Sequence, residues 1–244
     1  FGAAGTGGFA CRNSGQADYT VYQQGVITVF MLLFGVNFNV YYLMLIRKPK
    51  DAFRCEELRG YLAIVAIAVL FITMNIRHLF PTLFMAFHQA AFQVSSIITT
   101  TGYSTIDYNS WPEFSKAILL LIMFIGACAG STGGGIKVSR ILMYMKTIKK
   151  ELAILIHPRS VKVVLIDGKK LDHPVVRAAN IFLISYAGIL ALSILLLSID
   201  NFDFTTNVTA VISALNNIGP GLSLVGAERE LCLFLRVFQI CADV

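Results

Sequence analysis

Charged side chains are scarce in this sequence. They make up 14% of the 244 residues, whereas 56% are hydrophobic, and the mean hydropathy is +0.70. A soluble domain carries roughly 25% charged residues, so this composition excludes most soluble globular enzymes. It also excludes a disordered chain, which needs low hydrophobicity and high charge. The composition therefore predicts an integral membrane protein.

Cysteine and histidine are also rare. The five cysteines form no Cys-x-x-Cys pair and are too sparse for a disulfide-stapled secreted module, so we expect free thiols. Of the four histidines, His78 and His88 lie ten residues apart, which is not a metal-ligand spacing on a helix. A membrane-embedded redox or other enzyme using His78 and His88 is the less favoured alternative. We predict that the protein is not an enzyme and has no cofactor.

Long runs without charge are of two kinds. Four are dense in aliphatic and aromatic residues and long enough, alone or with their flanks, to predict lipid-facing helices. They are 26–46, 61–74, 117–125 and 181–199. In the first, Asn37 and Asn39 are expected to bond to neighbouring helices. Two other runs, 92–107 and 205–224, are uncharged but rich in hydroxyls, amides and glycine. Irregular backbone at membrane depth must line a cavity or be packed in protein, so these runs predict re-entrant segments around a pore.

A repeat links the polar segments. Gly-Thr-Gly-Gly at 5–8, Thr-Thr-Gly-Tyr at 100–103 and Asn-Ile-Gly-Pro at 217–220 align when Gly7, Gly102 and Gly219 are equated. Aiming successive carbonyls along one axis needs backbone conformations that glycine reaches without penalty. Rings of carbonyls replace the hydration shell of a monovalent cation, and the segments contain no carboxylate ring suited to a divalent one. The repeat predicts a cation filter with one glycine per unit.

Basic residues concentrate in two loops, 47–60 and 151–174, which the positive-inside rule places in the cytoplasm. The segment VKVVLIDGKKL in the second loop predicts a hairpin turning at Asp167-Gly168. We interpret this hairpin as a docking surface for a soluble regulatory partner, and contact of its lysines with lipid headgroups is the alternative.

The glycine-rich stretch 126–135 has three interpretations. A phosphate-binding loop is disfavoured because Lys137 is displaced from the position that motif requires. Small residues at 126–135 also suit close helix packing. We favour a break in a helix that crosses beneath the filter as a gate. Lys137 would then lie near the ion path, or would reach the cytoplasmic boundary with Arg140.

Four motifs resemble the Trk/Ktr/HKT superfamily of potassium transporters, in particular the pore-forming TrkH branch. They are TGGFA at 6–10, SSIITTTGYSTIDYNSWP at 95–112, GACAGSTGGGIKVSR at 126–140 and ALNNIGPGL at 214–222. The resemblance implies an all-α integral membrane fold in which four helix, pore-helix, helix units surround one central ion pore. It implies potassium uptake across the cytoplasmic (inner) membrane.

The same resemblance assigns residues and partners. Potassium would be held by filter residues in three turns, namely Gly5, Thr6, Gly7, Thr100, Thr101, Gly102, Asn217, Ile218 and Gly219. The gate would comprise Gly130, Gly133, Gly134, Gly135 and Lys137. A nucleotide-binding regulatory subunit on the cytoplasmic side, a homodimer and the lipid bilayer are the implied partners, and nucleic acid is not one.

We expect a fragment that covers the last three of four pore units. Residues 1–46 would hold the filter and closing helix of the second unit and 47–60 a cytoplasmic loop. Residues 61–150 would form the third unit, 151–174 a second cytoplasmic loop and 175–226 an incomplete fourth unit. Residues 227–244 form an atypical tail in which we assign no role to Arg236.

Overall fold

A computed structural model describes residues 2–8, 16–157 and 163–222. The predicted all-α membrane fold is confirmed, because nearly all regular structure in these ranges is helical. In chain order the elements are α1 (Gly2–Gly5), α2 (Val21–Phe34), α3 (Phe38–Leu45), α4 (Pro49–Arg54), α5 (Glu56–Ile76), α6 (Leu83–Ile98), α7 (Glu113–Ile125), α8 (Val138–Ile156), β1 (Leu165–Ile166), β2 (Lys169–Lys170), α9 (His173–Leu197) and α10 (Phe204–Asn216). Short 3-10 turns follow α5 and α9, and another precedes α7.

Two helices in the described ranges are each long and apolar enough to cross a membrane. They are α5 with the turn that follows it, 24 residues in all, and the 25-residue α9. The pair α2 and α3 would add a third span if it is counted as one broken crossing. Only Ala179 of α9 is buried, so nearly the whole surface of that helix is available to lipid or to another chain.

The helix predicted over 26–46 is not continuous, because the chain bends by 89° between α2 and α3. A Cβ atom at Gly35 would lie 2.5 Å from the Tyr61 hydroxyl and 2.7 Å from Thr99 Cγ2, so only glycine fits at this bend. Asn37 then starts α3 as its N-cap, with its side-chain oxygen accepting from the Asn39 N–H at 2.9 Å.

The predicted break within the third unit is present. Helix α7 ends at Gly126, whose φ of 71° is left-handed, and α8 begins after Lys137, whose φ is 83°. The intervening residues 126–137, called the glycine-rich loop below, contain no regular helix. Helices α5, α6 and α7 pack in one buried cluster with Ala127 and Cys128 of this loop, and α6 is wholly buried from Phe92 to Ile98.

The predicted hairpin is also present. Strands β1 and β2 pair in antiparallel register, with Leu165 opposite Lys170, around Asp167 and Gly168, both of which have positive φ. The Asp167 carboxylate accepts a hydrogen bond from the Glu56 N–H at 2.7 Å. The hairpin thereby caps the N-terminus of α5, where a negative charge is favourable.

Candidate functional site

Three helices, α1, α6 and α10, end in the same turn. In each case an N–H donates to the carbonyl five residues earlier, and the residue just before that N–H is left-handed without being glycine. This is the Schellman geometry of a helix C-terminus. The bonds join Gly7 to Gly2 at 3.1 Å, Thr101 to Ser96 at 2.9 Å and Ile218 to Ser213 at 2.9 Å, and the left-handed residues are Thr6, Thr100 and Asn217.

The shared geometry corrects the alignment of the first copy. The residue that follows the equivalent N–H is Gly8, with φ of 65°, where the other turns have Gly102 at 78° and Gly219 at 105°. Gly8, and not Gly7, is therefore the counterpart of Gly102 and Gly219, and Gly5 lies on the last turn of α1. The sequence carried a signal for this register, because an aromatic residue directly follows both Gly8 and Gly102.

The three turns pack against one another through these glycines. A Cβ atom at Gly102 would lie 2.1 Å from the carbonyl oxygen of Ile218, and one at Gly8 would lie 2.8 Å from the carbonyl oxygen of Thr101. Both distances are too short for any side chain, so the middle carbonyl of one turn lies against the glycine of its neighbour. The turn at Thr100 thus contacts both other turns, and the three adjacent turns are called the ring below.

Hydroxyl groups fix the turn at Thr100 from behind. Ser96 Oγ donates to the carbonyl of Tyr103 at 2.6 Å, and the hydroxyls of Thr99 and Thr101 are 2.8 Å apart. Thr99 also donates to the Ser95 carbonyl at 2.7 Å. Because Ser95, Ser96 and Thr99 to Thr101 are all buried, these bonds hold the backbone in one conformation without competition from water.

The turn at Asn217 is held by three further hydroxyls. Tyr108, which follows the turn at Thr100 in sequence, donates to the carbonyl of Gly221 at 2.7 Å. The Thr209 hydroxyl on α10 accepts from the Leu222 N–H at 3.1 Å. Tyr186 of α9 donates to the Asn216 side chain at 3.1 Å. The residues after Gly219 are thus tied both to their own unit and to the preceding one.

The glycine-rich loop lies directly against the ends of all three helices. A Cβ at Gly134 would be 2.2 Å from the Asn216 carbonyl oxygen, and one at Gly133 would be 2.9 Å from that of Thr99. The Gly134 N–H donates to Thr100 Oγ1 at 2.6 Å. On the side of α1, the Thr6 hydroxyl donates to the Thr132 carbonyl at 3.3 Å. The loop therefore contacts every turn of the ring.

The remaining residues assigned to the gate are held within this loop or beside it. Lys137 Nζ donates to the carbonyl of Gly133, so its side chain folds back on its own loop. Gly135 packs on Gly126, and the Gly130 carbonyl accepts from the Phe38 N–H at 3.1 Å. Arg140, which lies beside the loop on α8, stacks over Phe182 of α9 at 4.1 Å.

The electrostatics of the ring suit a cation. The C-termini of α6 and α10 both end at the ring, and a helix C-terminus carries a partial negative charge. Within residues 2–8, 16–157 and 163–222, no three His, Cys, Asp or Glu side chains are grouped to hold a metal ion. His88 is buried and bonds to Gln24 at 3.0 Å, whereas His78 is exposed. The histidines thus do not form one centre.

Comparison with known proteins decides the family. The family model TrkH, described as a cation transport protein, matches residues 5–234. The chain belongs to the TrkH family. It is 35% identical over 231 residues to the Trk system potassium uptake protein TrkH of Vibrio parahaemolyticus, covering 92% of this chain and 48% of that protein. It is 34% identical over 225 residues to TrkG of Escherichia coli K12, covering 91% of this chain and 46% of that one.

A solved structure agrees with these TrkH relatives. The crystal structure of the potassium transporter TrkH from Vibrio parahaemolyticus superposes with a TM-score of 0.86 at 33% identity. The superposition covers 92% of this chain and 49% of the chain in that crystal structure. The chain thus spans about half the length of the TrkH relatives that it matches. The tail 227–244, with Arg236, and the cysteines at 11, 232 and 241 lie outside the described residues.

Proposed function

We propose that the protein takes up potassium across the cytoplasmic membrane through a filter of backbone carbonyls. The observation that carries this proposal is the close packing of three equivalent turns, with the carbonyls of Thr101 and Ile218 against Gly8 and Gly102. A potassium ion gives up its hydration shell only where several oxygens replace it at once. A rigid ring of carbonyls at the negative ends of helices supplies such oxygens.

The filter residues that we propose are Thr6, Gly7 and Gly8, Thr100, Thr101 and Gly102, and Asn217, Ile218 and Gly219. The glycine-rich loop is the proposed gate, because it lies against Thr99, Thr100 and Asn216 on the side of the ring from which α8 leaves. Gly133 and Gly134 let the loop approach the Thr99 and Asn216 carbonyls, and Gly130 and Gly135 are the other glycines of the proposed gate. Lys137 supplies a positive charge that opposes a cation while the loop remains in place.

Two partners belong to the proposal. A nucleotide-binding regulatory subunit would dock on the cytoplasmic hairpin, whose exposed Lys169 and Lys170 offer positive charge. A homodimer in the bilayer would cover part of the exposed apolar surface. Pull-down of the regulatory subunit by the full-length protein without residues 163–171 tests the first idea, and undiminished capture would contradict it.

Rubidium flux through the full-length protein in proteoliposomes tests the filter. Gly102→Ser adds a side chain against the Ile218 carbonyl and is expected to reduce rubidium flux at least tenfold or to admit sodium. Gly188→Ser is the matched control, because a Cβ at Gly188 on α9 meets no atom within 4 Å. Unchanged flux and selectivity in Gly102→Ser would refute the proposed filter.

A further inference from the structure

Glu57 is a buried carboxylate next to the glycine-rich loop. Only 6% of its surface is exposed, although it lies in a segment whose charges suggested a solvated loop. One oxygen accepts from the Ala129 N–H at 2.6 Å, and the other accepts from Asn37 Nδ2 at 3.1 Å. Its place in the first turn of α5 favours a negative charge, because the helix N-terminus carries a partial positive one.

Asn37 cannot exchange its two amide ends freely. Its oxygen accepts from the Asn39 N–H at 2.9 Å as the N-cap of α3, so its NH2 group is directed to Glu57. The same oxygen packs on Gly130, where an added Cβ would be 3.1 Å away. Two backbone bonds run in parallel, from the Cys128 N–H to Gly35 and from the Phe38 N–H to Gly130.

The loop is thus fastened on two sides. On one side, Thr100 after α6 and Thr6 after α1 bond to it. On the other side, it bonds to Glu57 and to the backbone of the bend between α2 and α3. Glycines in a loop give little stiffness of their own, so its position depends on these bonds. Among the bonds that hold the loop, the two that Glu57 accepts are of the strongest type, because their acceptor is a carboxylate.

We propose that Glu57 and Asn37 are positioning residues that anchor the glycine-rich loop against the ring, and that the loop leaves the ring when this anchor is released. The inference rests on the proposed function, since it assigns how the gate is held. It adds a contact between the third unit's first helix and the second unit's bend. Neither residue contacts the proposed ion path in the described structure.

The donor and acceptor roles in the Asn37–Glu57 bond can be exchanged by mutation, which tests the anchor. In Glu57→Gln, one of the two donors must face an amide NH2, so the anchor loses a bond. In Asn37→Asp, two carboxylates face each other and repel. In the double variant, the introduced glutamine donates through Nε2 to the introduced aspartate while its oxygen accepts from the Ala129 N–H, and the aspartate still caps α3. Each single variant is therefore expected to free the loop, and the double variant to restore the anchor.

Two readouts on the full-length protein separate the anchor from the gate. Maleimide labelling of Cys128, which is fully buried in the loop, is followed by peptide-resolved mass spectrometry, and resting rubidium flux is followed in proteoliposomes. We expect both to rise about tenfold in each single variant and to return within about twofold of the unmodified protein in the double variant. Glu56→Gln is the matched control, because Glu56 pairs with Lys146 of α8 and not with the loop.

The outcomes are distinct. Labelling that stays at the unmodified rate in both single variants, or is not restored in the double variant, overturns the anchor. Labelling that follows the expected pattern while flux does not change leaves the anchor in place and overturns the gate of the proposed function. If Glu57→Gln alone is not recovered as a folded protein, recovery on adding Asn37→Asp supports the pairing, and failure of that rescue overturns it.

Discussion

The Cα of Gly102 lies against the carbonyl oxygen of Ile218, so closely that a Cβ there would be 2.1 Å from it. Gly102 belongs to the turn after α6 and Ile218 to the turn after α10, 116 positions apart in sequence. The contact therefore joins two units and not two neighbours along the chain. In the proposed filter, this contact would fix the spacing between the carbonyls of the two turns.

The corrected register of the first turn makes a prediction. Gly8→Ala is expected to abolish rubidium flux or ion selection, because the new Cβ meets the Thr101 carbonyl at a residue with φ of 65°. Gly7→Ala is expected to retain at least half of the flux, since Gly7 is exposed and its φ is not positive. Equal losses of rubidium flux in the two variants would contradict the assignment of Gly8, in place of Gly7, as the counterpart of Gly102 and Gly219.

Thr100 provides the oxygen that holds Gly134. Thr100→Val removes the acceptor of a buried 2.6 Å bond while keeping the shape of the side chain, and losing such a partner costs about 1–3 kcal/mol. Resting rubidium flux is expected to increase several-fold as the loop loosens. Thr100→Ser keeps the hydroxyl and should behave like the unmodified protein. A Val variant with the flux of the Ser variant would show that this bond does not hold the loop.

Tyr108 ties the turn at Asn217 to the third unit. Tyr108→Phe leaves the buried Gly221 carbonyl without its 2.7 Å donor, and we expect a loss of about 1 kcal/mol in unfolding free energy. Thermal unfolding in detergent, with the ratio of rubidium to sodium flux, measures the effect. Tyr42→Phe is the control, because Tyr42 is 62% exposed. Identical melting of the two variants would contradict a structural role for the Tyr108 hydroxyl.

Asp167 joins the β1–β2 hairpin to α5. Asp167→Ala removes the acceptor for the Glu56 N–H and places alanine at a φ of 50°, so hydrogen exchange of 164–171 is expected to accelerate about tenfold. Asp167→Asn keeps an acceptor and tolerates the left-handed conformation, so it should change exchange little. Slow exchange in the alanine variant would show that other contacts hold the hairpin.

Much of this architecture follows from local sequence. The uncharged polar runs 92–107 and 205–224 predict re-entrant segments, because irregular backbone at membrane depth must be packed in protein or line a cavity, and helices α6 and α10 do end within these runs. The hairpin follows from Asp167-Gly168. The break at 126–137 followed from its glycines. In each case the physical cause lies within a few residues.

Other features depend on distant contacts. The bend after α2 looked like continuous helix, because the need for Gly35 comes from Tyr61 and Thr99. Glu57 lies beside the basic residues of 47–60 in sequence, and only the folded chain brings the Ala129 N–H to it. Asn37 was expected to bond to a neighbouring helix, and its bond to Glu57 on α5 confirms this. Which end of the Asn37 amide faces Glu57 is fixed only by the folded structure, where the amide oxygen caps α3 and the NH2 group is left for Glu57.

The left-handed residues of the three turns are Thr6, Thr100 and Asn217, and an isolated peptide would leave that conformation at a gain of about 1–2 kcal/mol each. The turn at Thr100 lies against the turns at Thr6 and Asn217, so each turn is held in place partly by a turn of another unit. We therefore expect the ring to assemble after the helices have inserted, when units synthesised far apart in time first meet. We expect a stalled or shortened chain to insert as helices while its turns remain unformed, which would make insertion and maturation of the ring separate events in biogenesis.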